Sequence, residues 1–140
     1  MIPADLEARL VRAAKEARSR AYAPYSRYRV GAAIATQSGG IFTGCNVENA
    51  SYGACLCAER NAIAQMVAAG EADPIACVVV TLGPRAGSPC GICRQVLAEF
   101  ARDMAIVLVG EGPPGHDDRR DTTLAALLPD AFEKSALPTT

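Results

Sequence analysis

Residues 75–82 read Ile-Ala-Cys-Val-Val-Val-Thr-Leu, "IACVVVTL". No charged or turn-forming residue interrupts the run, and β-branched side chains crowd its centre. That composition is expected of a strand covered on both faces, since a strand with one wet face would alternate. "AIVLVG" at 105–110 has the same character. Between them "CGICRQVLAEFAR" (90–102) has helical periodicity, and upstream "CAERNAIAQMVAAG" (57–70) reads as a helix stopped at Gly70. Further upstream, "YRVGAAIAT" and "GIFTGCNV" flank the turn-forming "QSGG", a hairpin signal. Leu6, Leu10, Ala13, Ala14, Ala17 and Ala21 recur at helical spacing and predict an amphipathic helix over 4–20. "EGPPGHDDRRD" (111–121) reads as a polar loop, and "TTLAALLPDAF" (122–132) as a short last helix capped by Thr122 or Thr123. The order is helix, hairpin, helix, strand, helix, strand, helix. It predicts a three-layer α/β/α sandwich around a mixed sheet, as one domain spanning 1–140.

Composition narrows the function. Half of the 140 residues are apolar, about a fifth are charged, and the formal net charge is −1. The basic residues are scattered among acids rather than gathered into a stripe, which speaks against a nucleic-acid partner. No apolar run approaches the ~18 residues that a membrane span needs. The first twenty residues are studded with charges and carry no apolar core, so a cytoplasmic protein without a secretory leader is expected. In that compartment the six cysteines should be reduced, and disulfides are a poor account of them.

Two cysteine-bearing stretches hold the chemistry: "CLCAER" at 55–60 and "SPCGICRQ" at 88–95. Cys90 and Cys93 form a C-x-x-C pair which, alone, could be a redox dithiol, half a structural zinc site, or nothing functional. Both stretches lead into the first turn of an expected helix, where unpaired N–H groups favour thiolate. A third ligand is open between Cys55 and Cys57, and in principle Cys45, Cys77 or His116. Cys77 lies in a buried strand, Cys45 ends one, and His116 stands in a polar loop. Glu59 favours Cys57: with Cys57 at the helix start, the carboxylate sits in the same turn, near a metal-bound water without being a ligand. Three protein thiolates and an open fourth position form the catalytic zinc pattern, whereas structural sites are closed by a fourth ligand. Arg60 and Arg94 are candidate donors that would offset the negative cluster.

A first ligand, one residue, Glu, and a downstream Pro-Cys-x-x-Cys is the pattern of zinc deaminases, which includes a three-cysteine form. Over nearly its whole length the chain also resembles the small homotetrameric cytidine deaminases of nucleoside salvage. "AYAPYSRYRVGAAI", "GCNVENASYG", "CAER", "SPCGICRQVLAEF" and "LLPDAF" carry the likeness, in that order. The resemblance implies a five-stranded mixed sheet and one Zn²⁺ per subunit on Cys57, Cys90 and Cys93, with Glu59 as proton shuttle. It implies that Asn46 and Glu48 hold the ribose 3′-hydroxyl, that Tyr28 faces the pyrimidine, and that the Ala58 backbone meets the base. Arg60 would hydrogen-bond the thiolates. Ala50, Tyr52 and Phe132 would complete the pocket of a neighbouring subunit in a homotetramer.

The reaction implied is hydrolytic deamination of cytidine and deoxycytidine to uridine and deoxyuridine in pyrimidine salvage. Zinc hydroxide would attack C4 while Glu59 protonates N3. The alternatives are a zinc deaminase of another cytosine-bearing substrate, such as blasticidin S, and a non-catalytic zinc-stabilised domain. Three departures stand out: Tyr28 where relatives usually carry Phe, "TLGPRAG" where they commonly carry an Asp-Thr pair, and a loop at 111–121 longer than usual.

Overall fold

The run at 75–82 is the middle of the sheet. In the computed structural model, which describes residues 2–139, it forms strand β3 (Pro74–Leu82). On one side β3 pairs antiparallel with β1 (Val30–Thr36), which pairs antiparallel with β2 (Ile41–Cys45). On the other side it pairs in parallel with β4 (Ala105–Glu111), which pairs antiparallel with β5 (Asp118–Thr123). The sheet is therefore mixed and five-stranded, in the order β2-β1-β3-β4-β5.

The continuous apolar character of β3 and β4 has the expected cause. Ala76, Val78 and Val80 of β3, with Val107 and Val109 of β4, pack under helix α1 (Ala4–Arg18). The alternate residues Cys77, Val79, Ile106 and Leu108 pack on the opposite face, beneath α2 (Ala58–Ala68) and α3 (Gly91–Phe100). Three layers result. The α2–α3 side is filled by large side chains, Ile34, Met66, Leu97, Met104 and Leu124, all fully buried. Each contributes roughly 1.5–3 kcal/mol of apolar burial. The α1 side is built mainly from alanine and valine, with Leu10 as the one large, fully buried side chain of the helix. No helix among the described residues is long and apolar enough to cross a membrane.

One close approach sets where α2 begins. A Cβ on Gly44 of β2 would fall 2.4 Å from the Ala58 carbonyl oxygen and 2.5 Å from the Ala62 nitrogen. Glycine there lets the first turns of α2 lie directly on the end of the hairpin. The Asn61 side-chain amide then donates to the Cys45 carbonyl at 2.8 Å. At its other end α2 stops before Gly70, whose φ of +86° suits glycine.

The sequence reading fails at the C-terminal end. Residues 118–123, expected within a polar loop and the start of a helix, are the fifth strand. Their backbone completes the exposed edge of β4 from Gly110 opposite Asp118 to Ala105 opposite Thr123. Charged side chains suit a solvent-facing edge strand and discourage further pairing. The last helix shrinks to α4 (Leu124–Leu127), begun by Thr123, whose hydroxyl accepts from the Ala126 N–H at 3.2 Å. Pro129 disfavours helical backbone in the residue before it, and Leu128 is already out of the helix, at φ −134° and ψ 71°. Helix α1 is also shorter than expected, ending at Arg18 rather than 20.

Candidate zinc site

The site is assembled from the N-termini of α2 and α3. Cys57 and Cys90 are the N-cap residues of the two helices, and Cys93 sits in the first turn of α3. Neither N-cap thiol is spent on capping its helix. Both helix starts point positive partial charge toward the thiol cluster, which stabilises thiolate.

The three sulfurs lie within 4.8 Å of one another, and Cys57 Sγ is 3.6 Å from Cys90 Sγ. Sulfurs held about 2.3 Å from one tetrahedral zinc stand roughly 3.8 Å apart, close to the Cys57–Cys90 separation, so the donor set suits that ion. No other Cys, His, Asp or Glu joins the group among the described residues, leaving a fourth position open. Cys93 is fully buried, Cys57 half-buried and Cys90 exposed, so the cluster runs from the core to the surface. Without a cation, three adjacent thiols cannot all ionise. Cys57 is held down to about 5, first by the Cys93 thiol donating to it and then by Arg60 and Cys90. Cys93 is pushed far up by the same hydrogen bond and by burial. A divalent cation resolves that conflict by binding all three as thiolates.

Glu59 is the charged residue that the core takes in, at 3 % exposure in the second position of α2. Burial, reinforced by the charge of Cys57 and opposed by Arg60, pushes its carboxyl up to about 7. Arg60 donates from Nη2 to Cys57 Sγ at 3.7 Å and to the Cys55 carbonyl at 3.2 Å. Arg94 behaves differently from the expectation that it would serve the thiolates. Its Nε bonds the Pro89 carbonyl at 2.8 Å and its Nη1 the Leu127 carbonyl at 2.7 Å, fastening the Cys90 segment to α4.

The remaining sequence candidates fall into two groups. Tyr28, Asn46 and Glu48 meet on one rim. The Asn46 amide donates to the Tyr28 carbonyl at 2.7 Å and accepts from the Val30 N–H at 2.8 Å. Glu48 accepts from the Tyr25 and Ser26 N–H groups and from the Ser26 hydroxyl, and that hydroxyl first of all lowers its pKa. The exposed Tyr28 ring ends at the segment before Cys90: a Cβ on Gly87 would lie 2.4 Å from the Tyr28 hydroxyl. Ala58 is fully buried at the first position of α2.

Ala50, Tyr52 and Phe132 are not drawn toward the thiols by contacts within the chain. All three are exposed; Tyr52 stacks edge-on against Tyr25 at 5.9 Å, and the Phe132 carbonyl accepts from Gln95. Cys77 is buried among core side chains, His116 is exposed, and Cys55 bonds the backbone of Asn49 through its sulfur. The sequence did not mark Asn61 or Thr81 as supports of the site. Thr81, the polar residue closing the apolar run, accepts from the Gly87 N–H at 3.1 Å and so steadies the approach to Cys90.

The chain has known relatives. Residues 5–109 match the family model described as the cytidine and deoxycytidylate deaminase zinc-binding region. A cytidine deaminase of Sporosarcina psychrophila is 43% identical over 136 residues, covering 95% of each chain. One from Mycobacterium tuberculosis is 40% identical over 125 residues, 89% of this chain and 88% of that one. Among solved structures, the cytidine deaminase of Burkholderia pseudomallei superposes with a TM-score of 0.82 at 47% identity, covering 89% of this chain and 98% of the other. With the family model and relatives of this identity and coverage in agreement, the chain belongs to the zinc-dependent cytidine and deoxycytidylate deaminase family.

Proposed function

We propose that the protein is a hydrolase that deaminates cytidine and deoxycytidine to uridine and deoxyuridine, releasing ammonia, in pyrimidine salvage. The observation that carries this reading is the buried Glu59 carboxyl beside the three-thiol cluster. Burial raises that carboxyl above the ordinary carboxylate range, and a side chain shielded from solvent beside the cluster suits a group that must both take and give a proton. A purely structural zinc site has no use for such a group.

Zn²⁺, one per subunit on Cys57, Cys90 and Cys93, supplies the Lewis acidity that lets a water act as nucleophile near neutral pH. Glu59 takes a proton from that water and delivers it to N3 as the new C–O bond forms at C4. The carbon becomes tetrahedral. Glu59 then carries the hydroxyl proton from C4 to the amino nitrogen, which leaves as ammonia while C4 becomes a carbonyl. N3 keeps its proton, so the product is uridine. Arg60, donating to Cys57, draws charge from the thiolates.

Asn46 and Glu48 bind the ribose 3′-hydroxyl. Each already fastens the 22–30 segment, yet the amide keeps a second hydrogen and the carboxylate a free lone pair for a ligand. Tyr28 faces the base and the Ala58 backbone contacts it. The protein works as a single-domain subunit of a cytoplasmic homotetramer, in which Ala50, Tyr52 and Phe132 complete neighbouring pockets. Tyr52 at 75% and Phe132 at 62% exposure support that reading, since apolar area of this kind marks contact surfaces. A net charge of −1 gives a polynucleotide substrate no support.

The test follows cytidine absorbance in the ultraviolet. The zinc-loaded protein should consume cytidine, lose activity to a strong chelator and regain it with zinc. Glu59→Gln should keep its zinc while kcat falls by roughly 100- to 10,000-fold or more. Near-normal turnover by zinc-replete Glu59→Gln would sink the shuttle assignment, and no turnover by the zinc-loaded parent would sink the activity. Light scattering giving a monomer mass for active protein would overturn the tetramer.

A further inference from the structure

Cys90 reaches the cluster on a segment poorly suited to hold itself in place. Residues 83–90 read Gly-Pro-Arg-Ala-Gly-Ser-Pro-Cys, with two glycines and two prolines and no regular backbone pairing of its own. Cys90 is exposed and makes no side-chain cap to its helix, so nothing in its own turn fixes the thiol. Its placement depends on what holds the segment.

Part of that hold is local: Thr81 binds the Gly87 N–H and Arg94 binds the Pro89 carbonyl. The rest comes from β5. The Asp118 carboxylate accepts from the Ala86 N–H at 2.7 Å, and Arg120 donates to the Ser88 hydroxyl. The strand's register explains why these two residues reach the segment. Arg120 lies opposite Leu108, whose side chain faces α2 and α3, whereas Arg119, one residue away, turns to Glu7 on α1. Asp118 lies opposite Gly110, where a Cβ would stand 2.6 Å from the Arg85 carbonyl carbon and 2.7 Å from the Ala86 nitrogen. The segment therefore rests on the bare backbone of Gly110, and the residue paired with Gly110 binds the amide lying across it.

We infer that Asp118 and Arg120 of the edge strand are positioning residues for the zinc ligand Cys90, acting through Ala86 and Ser88. The two departures from the family pattern noted in the sequence, at 81–87 and 111–121, thus meet as one interlocking unit. Outer groups that orient metal ligands typically change metal affinity by 10- to 100-fold when removed.

This inference rests on the zinc reading of Cys57, Cys90 and Cys93, and its test reads the metal as well as the rate. Zinc transfer from the purified holoprotein to a chromophoric chelator should be about tenfold or more faster in Asp118→Ala/Arg120→Gln, which removes the acceptor of the Ala86 N–H and the donor to Ser88, than in the parent. The visible spectrum of the cobalt-substituted variant should show altered tetrahedral bands. Ser88→Ala, which leaves β5 intact, should reproduce the effect of Arg120→Gln, and combining the two should add nothing further. Arg119→Gln, on the other face of the strand, should release zinc as the parent does. Unchanged release and an unchanged cobalt spectrum in the double variant would overturn the positioning role, as would equal acceleration in Arg119→Gln. A parent that holds no zinc would overturn the zinc reading and this inference together.

Discussion

Cys55 and Cys57 stand two residues apart, and their different surroundings separate their roles. Cys57 is the N-cap of α2 and shares the cluster with Cys90 and Cys93. The Cys55 sulfur accepts from the Asn49 N–H at 3.3 Å and lies 3.7 Å from the Asn49 carbonyl, contacts that a serine hydroxyl can also make. Cys55→Ser should therefore keep one zinc per subunit and turn over within a few-fold of the parent. Cys57→Ser should lose both, because a hydroxyl is a poor replacement for thiolate on zinc. Metal content and cytidine turnover, measured on both variants, check this; zinc loss in Cys55→Ser would reverse the assignment. At this scale the sequence was most readable where the chemistry is local. Cys57 and Glu59 share one helical turn, and Cys90 and Cys93 share another. The role of Arg94 was not readable, because one of its partners, the Leu127 carbonyl, lies 33 residues away.

Single residues act here through the elements that carry them. The start of α2 brings Cys57 and Glu59 to the site, and its height above the sheet is set by Gly44. Both atoms nearest to a Cβ there are backbone atoms of α2, so neither can rotate away. Gly44→Ala should displace the first turns of α2 and cost about 1–3 kcal/mol of stability, as overpacking does. It should also weaken zinc binding, because the Cys57 thiol moves with the turn. Urea unfolding and metal content check the two effects. A variant as stable as the parent with full zinc would show that the contact is easily relieved. The same scale explains what the sequence hid. β3 and β4 declare themselves by apolar runs with two buried faces, and β1 and β2 by the turn between them. β5 has no apolar pattern, since its residues are mostly charged and exposed. Its strand character comes from the free edge of β4, which no local pattern reports.

For the whole molecule, the two sides of the sheet are held by different means. α2 and α3 are clamped by large buried side chains, whereas α1 rests on small ones and adds ionic tethers. Glu111, at the end of β4, pairs with Lys15 at 2.9 Å and with Arg18, both in the last turn of α1. The Lys15 hydrogen bond, then that of Arg18, holds the Glu111 carboxyl below its ordinary 4.5. A carboxylate with a depressed folded pKa stabilises fully above the unfolded value, and that contribution is lost as pH falls through the folded one. Glu111→Gln should therefore lower stability at pH 7 by about 1 kcal/mol, the upper range for partly exposed pairs. The deficit should shrink below pH ~4.5 as the parent protonates the same group, and it should narrow in high salt at neutral pH. Urea unfolding of parent and variant across pH 3–7 measures this. A deficit constant over that range would mean that Glu111 acts by packing, and that α1 is held without its charges.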